Sequence, residues 1–308
     1  MINYRWVILV TDVLIIGGGP AGVTAGIYTA RANFNTLIIC KDQGALGKAE
    51  AVENFYGHLE ISGAQLVETG LEQVRRAGAD VMSGEVVSLF LAEDGNLQAQ
   101  TADGRDFEAK TALIATGATR TTPKIKGLSA LEGRGVSYCA VCDGFFYRGK
   151  DVAVLGSGAY ALHEVEDLLP LAAGVTVLTN GEDVSANFPK GVDIRTEKIK
   201  EVITAESMIG SILKGVLFES GEELLFSGLF VAVGTAGASD LARKIGAVAD
   251  NRSIVVDNTC RTSIPGLWAA GDCTGGVHQI AKAVYEGMEA GMDIVKFLRQ
   301  ASSGESTP

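Results

Sequence analysis

The chain is poor in charge, in basic residues and in long apolar stretches. Only 20% of its 308 residues are charged, and 26 Lys and Arg stand against 37 Asp and Glu, for a formal net charge of −11. This balance repels phosphate backbones and anionic membrane surfaces, so we expect no nucleic acid partner. No apolar run reaches the roughly 18 residues of a membrane span, and the first apolar stretch is interrupted by Thr11 and Asp12. We therefore expect neither a membrane segment nor a signal peptide, and a soluble cytoplasmic protein.

Cysteine and histidine are also scarce, with five and three residues. An odd number of cysteines in a chain of this length indicates a reducing compartment rather than a disulfide scaffold. Cys139 and Cys142 form one C-x-x-C pair, which favours a redox dithiol. The alternative, half of a zinc ribbon, lacks a second C-x-x-C pair, so we expect no metal. The scattered histidines are His58, His163 and His278. The other cysteines, expected as small core residues, are Cys40, Cys260 and Cys273.

Glycine, in contrast, is abundant. The chain has 39 glycines and is 47% hydrophobic, which excludes a disordered protein and a charged coiled coil. At roughly 150 residues per domain, its length predicts about two domains. We expect an α/β protein.

A strand, a glycine turn and a helix follow one another near the N-terminus. The apolar run 13–16 leads into Gly-Gly-Gly-Pro-Ala-Gly at 17–22 and then into an Ala-rich stretch, and a second apolar run covers 36–40. Gly17 permits the tight turn, Gly19 lets the backbone approach a pyrophosphate, and Gly22 lets helix and strand pack closely. The sequence therefore predicts a dinucleotide site. Where an acid for the ribose is expected, the chain has Cys40 and Lys41, so Asp42 is the displaced candidate.

The same order recurs farther along the chain. The apolar run 152–155 leads into Gly-Ser-Gly-Ala-Tyr-Ala at 156–161, a helical stretch and a further apolar run at 175–178. Two nucleotide-binding units in one chain predict two Rossmann-like domains. Apolar runs that end in glycine at 112–117 and 229–234 are the candidate crossings between them. We expect a last helix from about Gln279 to Leu298 and a disordered tail over residues 302–308.

The segment around the dithiol is locally basic, in a chain that is acidic overall. Its cations are Arg120, Lys124, Lys126, Arg134, Arg148 and Lys150. This excess could steer an acidic protein partner to the dithiol, and it is equally consistent with a solvated basic stretch.

Residues 133–146 have a sequence that resembles a characteristic segment of a known protein family. They read Gly-Arg-Gly-Val-Ser-Tyr-Cys-Ala-Val-Cys-Asp-Gly-Phe-Phe, and they occur with the first glycine loop, Val-Glu-Asn at 52–54, Ala-Thr-Gly at 115–117 and Ala-Ala-Gly-Asp at 269–272. Together these segments resemble the low-molecular-weight thioredoxin reductases over nearly the whole chain. The resemblance implies two Rossmann-like domains of the three-layer ββα type, one inserted in the other. An FAD domain would cover 1–118 and 241–308, and a pyridine-nucleotide-like domain with the dithiol would cover 119–240. It also implies a homodimer and a rotation of one domain against the other.

The resemblance also implies roles for single residues. Asn54 would lie near the flavin, Asp272 would bind the ribityl or phosphate part, and Gln279 and Ile280 would reach the isoalloxazine. Cys142 would be the sulfur near the flavin, Cys139 would attack the partner disulfide, and Asp143 would donate and accept protons. The full set of candidate FAD residues is Gly17, Gly19, Pro20, Ala21, Gly22, Asp42, Asn54, Thr116, Gly117, Gly271, Asp272, Gln279 and Ile280.

The departures from the family all concern the electron donor. NADPH-dependent members carry a His-Arg-Arg segment and a further arginine after the second strand of the inserted domain, a cluster suited to a 2′-phosphate. Here residues 178–183 read Leu-Thr-Asn-Gly-Glu-Asp, with two acids and no arginine. Tyr160 puts a large ring in the second glycine loop, where the family has a small hydroxyl residue. The family's His-x-Pro-Asn is Thr-Ala-Gly-Ala at 235–238. These differences make the use of NAD(P)H doubtful.

Three interpretations remain for the donor. Glu182 could bind a ribose 2′-hydroxyl and select NADH, the nucleotide site could be vestigial with electrons arriving from ferredoxin, or a nonstandard NADPH site could exist. The chain is similar to ferredoxin-dependent flavin thioredoxin reductases in lacking the arginine cluster. It nevertheless keeps the glycine-loop residues Gly156, Gly158 and Ala161. We favour ferredoxin slightly over NADH, and both over NADPH.

The sequence thus predicts a flavin-dependent reductase of a protein disulfide, most simply that of thioredoxin. Two alternatives stay open. One is an ordinary NADPH-dependent thioredoxin reductase, and the other is a redox sensor with flavin and dithiol but no turnover.

Overall fold

The computed structural model describes residues 10–118, 123–207, 210–234, 237–250 and 253–303, apart from the side chain of Cys142. The chain divides into two compact units. Unit 1 comprises Met1–Thr119 and Gly237–Pro308, and unit 2 comprises Arg120–Ala236.

The elements follow one another in an alternating order of strands and helices. The first part of unit 1 holds β1 (Val10–Ile16), α1 (Pro20–Arg31), β2 (Thr36–Cys40), α2 (Gly63–Arg76), β3 (Asp80–Ser83), β4 (Val86–Leu91), β5 (Leu97–Thr101) and β6 (Asp106–Ile114). Unit 2 holds β7 (Val136–Ser137), α3 (Ala140–Asp143), β8 (Asp151–Leu155), α4 (Ala159–Leu168), β9 (Gly174–Leu178), β10 (Asp193–Arg195), β11 (Ile199–Ser207), β12 (Gly210–Phe218), β13 (Glu223–Leu225) and β14 (Gly228–Val231). The chain then returns to unit 1 with α5 (Ala238–Lys244), β15 (Ala249–Asp250), β16 (Ser253–Ile254), β17 (Leu267–Ala269) and α6 (Ile280–Ser303).

Unit 1 is built on the parallel strands β3, β2, β1, β6 and β17, in that order. β4 and β5 continue the sheet as antiparallel strands from the first half of β6. Val13, Leu14 and Ile15 of β1 are fully buried, because a central parallel strand is covered on both faces. On one face, α1 and α6 approach so closely that a Cβ atom at Gly287 would lie 2.2 Å from the Ala21 carbonyl oxygen. This contact brings the start of α6 to the start of α1.

Unit 2 repeats this architecture. Its parallel strands lie in the order β10, β9, β8, β14, β7, and a separate antiparallel sheet joins β11, β12 and β13. The fold is therefore α/β, with two units of the Rossmann type, as the sequence predicted. β1 in unit 1 and β8 in unit 2 each end at a glycine turn that begins a helix, which places each turn at the carboxyl edge of its sheet.

The C-terminal helix is longer than the sequence predicted. α6 runs from Ile280 to Ser303, so the expectation of disorder from residue 302 is wrong for residues 302 and 303. The Ser302 hydroxyl donates to the Leu298 carbonyl at 2.9 Å, a local bond that continues the helix. The remaining tail, residues 304–308, lies outside the described residues, as do Arg120 and residues 235 and 236.

Neither α6 nor another helix of the described part combines the length and apolar character needed to cross a bilayer. Within the same residues, no group of three or more His, Cys, Asp and Glu side chains is arranged to hold a metal ion.

Candidate functional site

The first glycine loop forms an open cradle between β1 and α1. Gly17 has φ +120, and a Cβ atom there would lie 2.3 Å from the Ala115 carbonyl oxygen; at Gly22 it would lie 2.0 Å from the Gly17 carbonyl oxygen. At Gly19, in contrast, a Cβ atom would meet no atom of the described residues within 4 Å. Gly19 is also the N-cap of α1, and no side chain caps the helix there. The free amides of α1 therefore face open space, which fits the pyrophosphate of a dinucleotide.

The end of β6 supplies an unsatisfied polar group beside this cradle. Thr116 follows Ala115, and its Oγ1 is buried without a hydrogen-bond partner among the described residues. Gly117 follows in a left-handed conformation, with φ +77. A buried hydroxyl without a partner costs free energy unless a ligand satisfies it, so this position also fits a bound cofactor.

A lysine–glutamate pair on α6 fixes the turn that carries Asp272. Lys282 Nζ donates to the Gly271 carbonyl at 2.9 Å, to Thr274 Oγ1 at 2.9 Å and to Glu286 Oε2 at 3.0 Å. Glu286 Oε2 also accepts from the Gly271 amide at 2.8 Å. Gly271 has φ +88, a region that favours glycine. We call this group the Lys282–Glu286 clamp. The sequence reasoning missed it, although a Lys and a Glu four residues apart on a helix were a visible signal.

Two candidates that are 225 residues apart in sequence meet at the start of α6. Asn54 Nδ2 donates to Gln279 Oε1 at 3.2 Å, and Ile280 is the first residue of the helix. Unit 1 thus contains all the candidate FAD residues, and contacts within it join Gly271 to Ala21 of the cradle and Asn54 to Gln279. Asp42 is different, because its Oδ1 accepts from the Gly44 amide at 2.7 Å in an exposed turn.

Two side chains of α4 make hydrogen bonds to the backbone of the dithiol segment. Cys139 is disulfide-bonded and 4% exposed. The Ala140 amide donates to Oε2 of the fully buried Glu164 at 2.6 Å. The Tyr160 hydroxyl donates to the Tyr138 carbonyl at 3.1 Å. The Tyr160 ring, which the sequence places in the second glycine loop, is 3% exposed, and this bond turns it inward.

Asp143 ends α3, and its carboxylate is half-buried. Its Oδ2 lies 2.6 Å from the Ser137 hydroxyl. Burial and, secondarily, the Asp143 charge raise the pKa of Tyr147. The proton donor expected from the sequence is therefore held beside the backbone of the cysteine segment.

The second glycine loop is covered, unlike the first. A Cβ atom at Gly158 would lie 3.3 Å from Ser185 Oγ. The Ser185 amide and hydroxyl both donate to the Ser157 carbonyl, at 2.9 and 3.2 Å. The Ser157 hydroxyl donates to Glu182 Oε2 at 3.0 Å. We call residues 182–185 the cover segment. It occupies the side of the loop that a pyrophosphate would approach.

One cation missed by the sequence reasoning lies near this loop. A Cβ atom at Gly181 would lie 2.8 Å from Lys198 Cγ and 3.0 Å from Lys198 Cε. Lys198 therefore passes across the turn that carries the acidic Glu182. A single flexible lysine does not reproduce a cluster of arginines around a 2′-phosphate.

Comparison with known proteins identifies the family. The profile described as pyridine nucleotide-disulphide oxidoreductase matches residues 11–287. The chain belongs to this family. Among curated relatives, a thioredoxin reductase of Aquifex aeolicus is 36% identical over 305 residues, which cover 94% of each chain. Membership makes the protein a flavoprotein disulfide oxidoreductase, an enzyme whose cofactor is FAD.

Solved structures of disulfide oxidoreductases agree with this placement. The atypical thioredoxin reductase TRi of Desulfovibrio vulgaris Hildenborough is 35% identical, with a TM-score of 0.86 over 94% of this chain and 98% of that one. A ferredoxin-flavin thioredoxin reductase of Clostridium acetobutylicum is 28% identical, with a TM-score of 0.67 over 94% of this chain and 98% of that one. The cradle at Gly19, the buried Thr116 hydroxyl and the clamped Asp272 turn fit FAD.

The other three cysteines of this oxidoreductase are free thiols. Cys260 and Cys273 are buried, and burial raises the pKa of each to about 12. Cys40 is only half-buried; burial also raises its pKa, while the Arg75 charge acts in the opposite direction.

We expect Cys260 and Cys273 to resist alkylation in the native protein. The thiolate is the reactive form, so with a pKa of about 12 both residues stay protonated and unreactive at mildly alkaline pH. Iodoacetamide treatment of the oxidised protein followed by peptide mass spectrometry measures this. Cys40 is the internal comparison and reacts first. Equal labelling of all three without denaturant contradicts the prediction.

Proposed function

We propose that the protein is a thioredoxin reductase that passes two electrons through FAD and the Cys139/Cys142 pair to the disulfide of thioredoxin. The observation that carries this proposal is the Cys139 disulfide, directly before the four-residue helix that ends at Asp143, in a chain of the flavoprotein disulfide oxidoreductase family. The named relatives support thioredoxin as the partner.

The domain roles follow from where the candidate residues lie. Unit 1, expected as 1–118 and 241–308, would bind FAD along the Gly17–Gly22 cradle. Unit 2, expected as 119–240, would present the dithiol to the partner. We further propose a homodimer, which the resemblance implies, and a cytoplasmic location, which the cysteine usage indicates.

FAD, held in reduced form by the cradle, would supply the two electrons that, with two protons, open the Cys139–Cys142 disulfide to a dithiol. The Cys139 thiolate then attacks the disulfide of thioredoxin, so that a mixed disulfide forms and one partner sulfur leaves and takes a proton. Cys142 attacks the mixed disulfide, releases the second partner sulfur and restores the Cys139–Cys142 bond. Asp143 gives and takes the protons of these steps. The enzyme dithiol is oxidised and the thioredoxin disulfide is reduced, so electrons and protons balance.

The second glycine loop supports a proposal for the electron donor. The cover segment lies over Gly158, and Glu182 would repel a 2′-phosphate there. We therefore propose a donor other than NADPH, and ferredoxin as the first choice. The neighbouring ferredoxin-flavin thioredoxin reductase supports that choice. NADH is the second candidate, because Glu182 could instead accept from a ribose 2′-hydroxyl.

We expect photoreduced ferredoxin to bleach the flavin under anaerobic conditions, and NADPH and NADH to do so at least about 100-fold more slowly, since a closed loop offers no pyrophosphate contacts. Visible absorbance with each donor added separately measures this, and dithionite is the control for a reducible flavin. Rapid bleaching by NADPH overturns the donor proposal. A flavin reduced by dithionite without turnover of thioredoxin favours the redox-sensor alternative.

A further inference from the structure

Ser137 is a buried hydroxyl that contacts both the backbone of Cys139 and the carboxylate of Asp143. It ends β7 and is 5% exposed. The Cys139 amide donates to Ser137 Oγ at 3.1 Å. Ser137 Oγ lies 2.6 Å from Asp143 Oδ2 and 3.4 Å from the Cys139 carbonyl oxygen. A serine hydroxyl has one proton to donate, and it goes to the nearer, charged acceptor. Ser137 thus accepts from residue 139 and donates to residue 143.

The helix alone does not orient the Asp143 carboxylate. α3 has four residues, and the Asp143 amide donates to the Cys139 carbonyl at 3.1 Å, which fixes only the backbone. The Ser137 bond is the contact that fixes the side chain. It is short and charge-assisted, a class stronger than neutral hydrogen bonds.

The other ionisable groups around this helix come from two neighbours. From α4, Glu164 accepts from the Ala140 amide, and the same helix carries His163 and Asp167, whose side chains lie 3.7 Å apart. From the turn after α3, Tyr147 interacts with the Asp143 charge. None of these contacts replaces a donor to Asp143 Oδ2. Removing the Ser137 hydroxyl therefore removes the hydrogen bond to the Asp143 carboxylate without removing a charge.

We propose that Ser137 is a positioning residue that holds the Asp143 carboxylate at the cysteine segment for proton transfer. The proposal rests on the proposed function, in which Asp143 protonates the leaving sulfur and accepts the proton of the resolving thiol. A donated hydrogen bond stabilises the charged carboxylate. Loss of the Ser137 bond leaves the carboxylate without a fixed orientation and slows both proton transfers.

The test uses two matched pairs, Ser137 against Ser137→Ala and Ser137→Thr against Ser137→Val, in the FAD-loaded full chain. Thr and Val have the same shape, so this pair separates the hydroxyl from packing if Ser137→Ala is unstable. Each protein is reduced with dithionite and mixed with oxidised thioredoxin, and separately with a small aromatic disulfide, at neutral pH. We expect the hydroxyl-free variants to be slower by about tenfold, the effect of losing one hydrogen bond to a charged group. Ser137→Thr retains the wild-type rate.

Asp143→Asn separates positioning from structural damage. If Ser137 acts through Asp143, adding Ser137→Ala to Asp143→Asn lowers the rate of disulfide reduction by less than about twofold further. The reason is that the effects of coupled residues are not additive. A full tenfold further loss in that background, or a Ser137→Thr variant as slow as Ser137→Val, overturns the proposal. Reduction of the small disulfide but not of thioredoxin contradicts the proposed partner, and it leaves the Ser137 comparison intact.

Discussion

Cys139→Ser is expected to lower thioredoxin reduction by at least about 10³-fold, since removing a nucleophile usually leaves only residual activity. A serine hydroxyl is not ionised at neutral pH and forms no disulfide, so neither the enzyme disulfide nor the mixed disulfide can form. FAD stays bound, because the cradle residues lie in unit 1 and Cys139 lies in unit 2. Steady-state assays with chemically reduced enzyme, together with the flavin spectrum, measure both effects.

Cys260→Ser is the matched control for this substitution. Cys260 is buried in unit 1, and its Sγ lies 3.5 Å from the Glu286 carbonyl oxygen, a contact that a serine hydroxyl keeps. It should retain turnover. Normal activity of Cys139→Ser refutes the dithiol assignment, whereas equal loss in both variants points to a general effect of cysteine replacement.

Gly19→Val is expected to weaken FAD binding by at least about 100-fold, since a branched side chain fills the place where the backbone meets the pyrophosphate. The protein itself should still fold. Gly19 has an extended conformation, with φ −78 and ψ −176, and a Cβ atom there meets no atom of the described residues within 4 Å. The expected cost to the apoprotein is about 1 kcal/mol, from a poor helix N-cap. Flavin absorbance per protein and circular dichroism measure the two effects.

Gly158→Val tests whether this loss is specific to the first loop. Gly158 is the corresponding glycine of the second loop, where Ser185 already covers the backbone. This variant should keep its full complement of FAD. A colourless Gly158→Val protein, or a yellow Gly19→Val protein, would mean that the two loops have been assigned to the wrong cofactors.

The two sheets and their glycine turns could be predicted because their signals are local. An apolar run without polar alternation, as in Val13–Ile16, is what a strand buried on both faces requires. The close contact at Gly22 likewise leaves room for glycine alone. The expected FAD residues also come together in unit 1, although their cofactor roles stay predictions.

Other features depend on contacts between segments that are far apart in sequence. Glu164 accepts a hydrogen bond from the amide of Ala140, which lies 24 residues earlier in the sequence. Nothing in the sequence around Glu164 indicates that it supports the dithiol segment. The cover segment depends on the path of the chain after β9, which the residue types at 182–185 do not determine. The sequence also placed the end of α6 too early. The polar residues at the end of the chain gave no sign that the Ser302 hydroxyl bonds to the Leu298 carbonyl of the same helix.

The Lys282–Glu286 clamp holds the turn of Asp272, a predicted FAD residue, through hydrogen bonds made entirely within the protein. A binding site that is ordered in advance loses little conformational entropy on binding. We therefore expect this turn to add little to the entropic cost of assembling the holoenzyme.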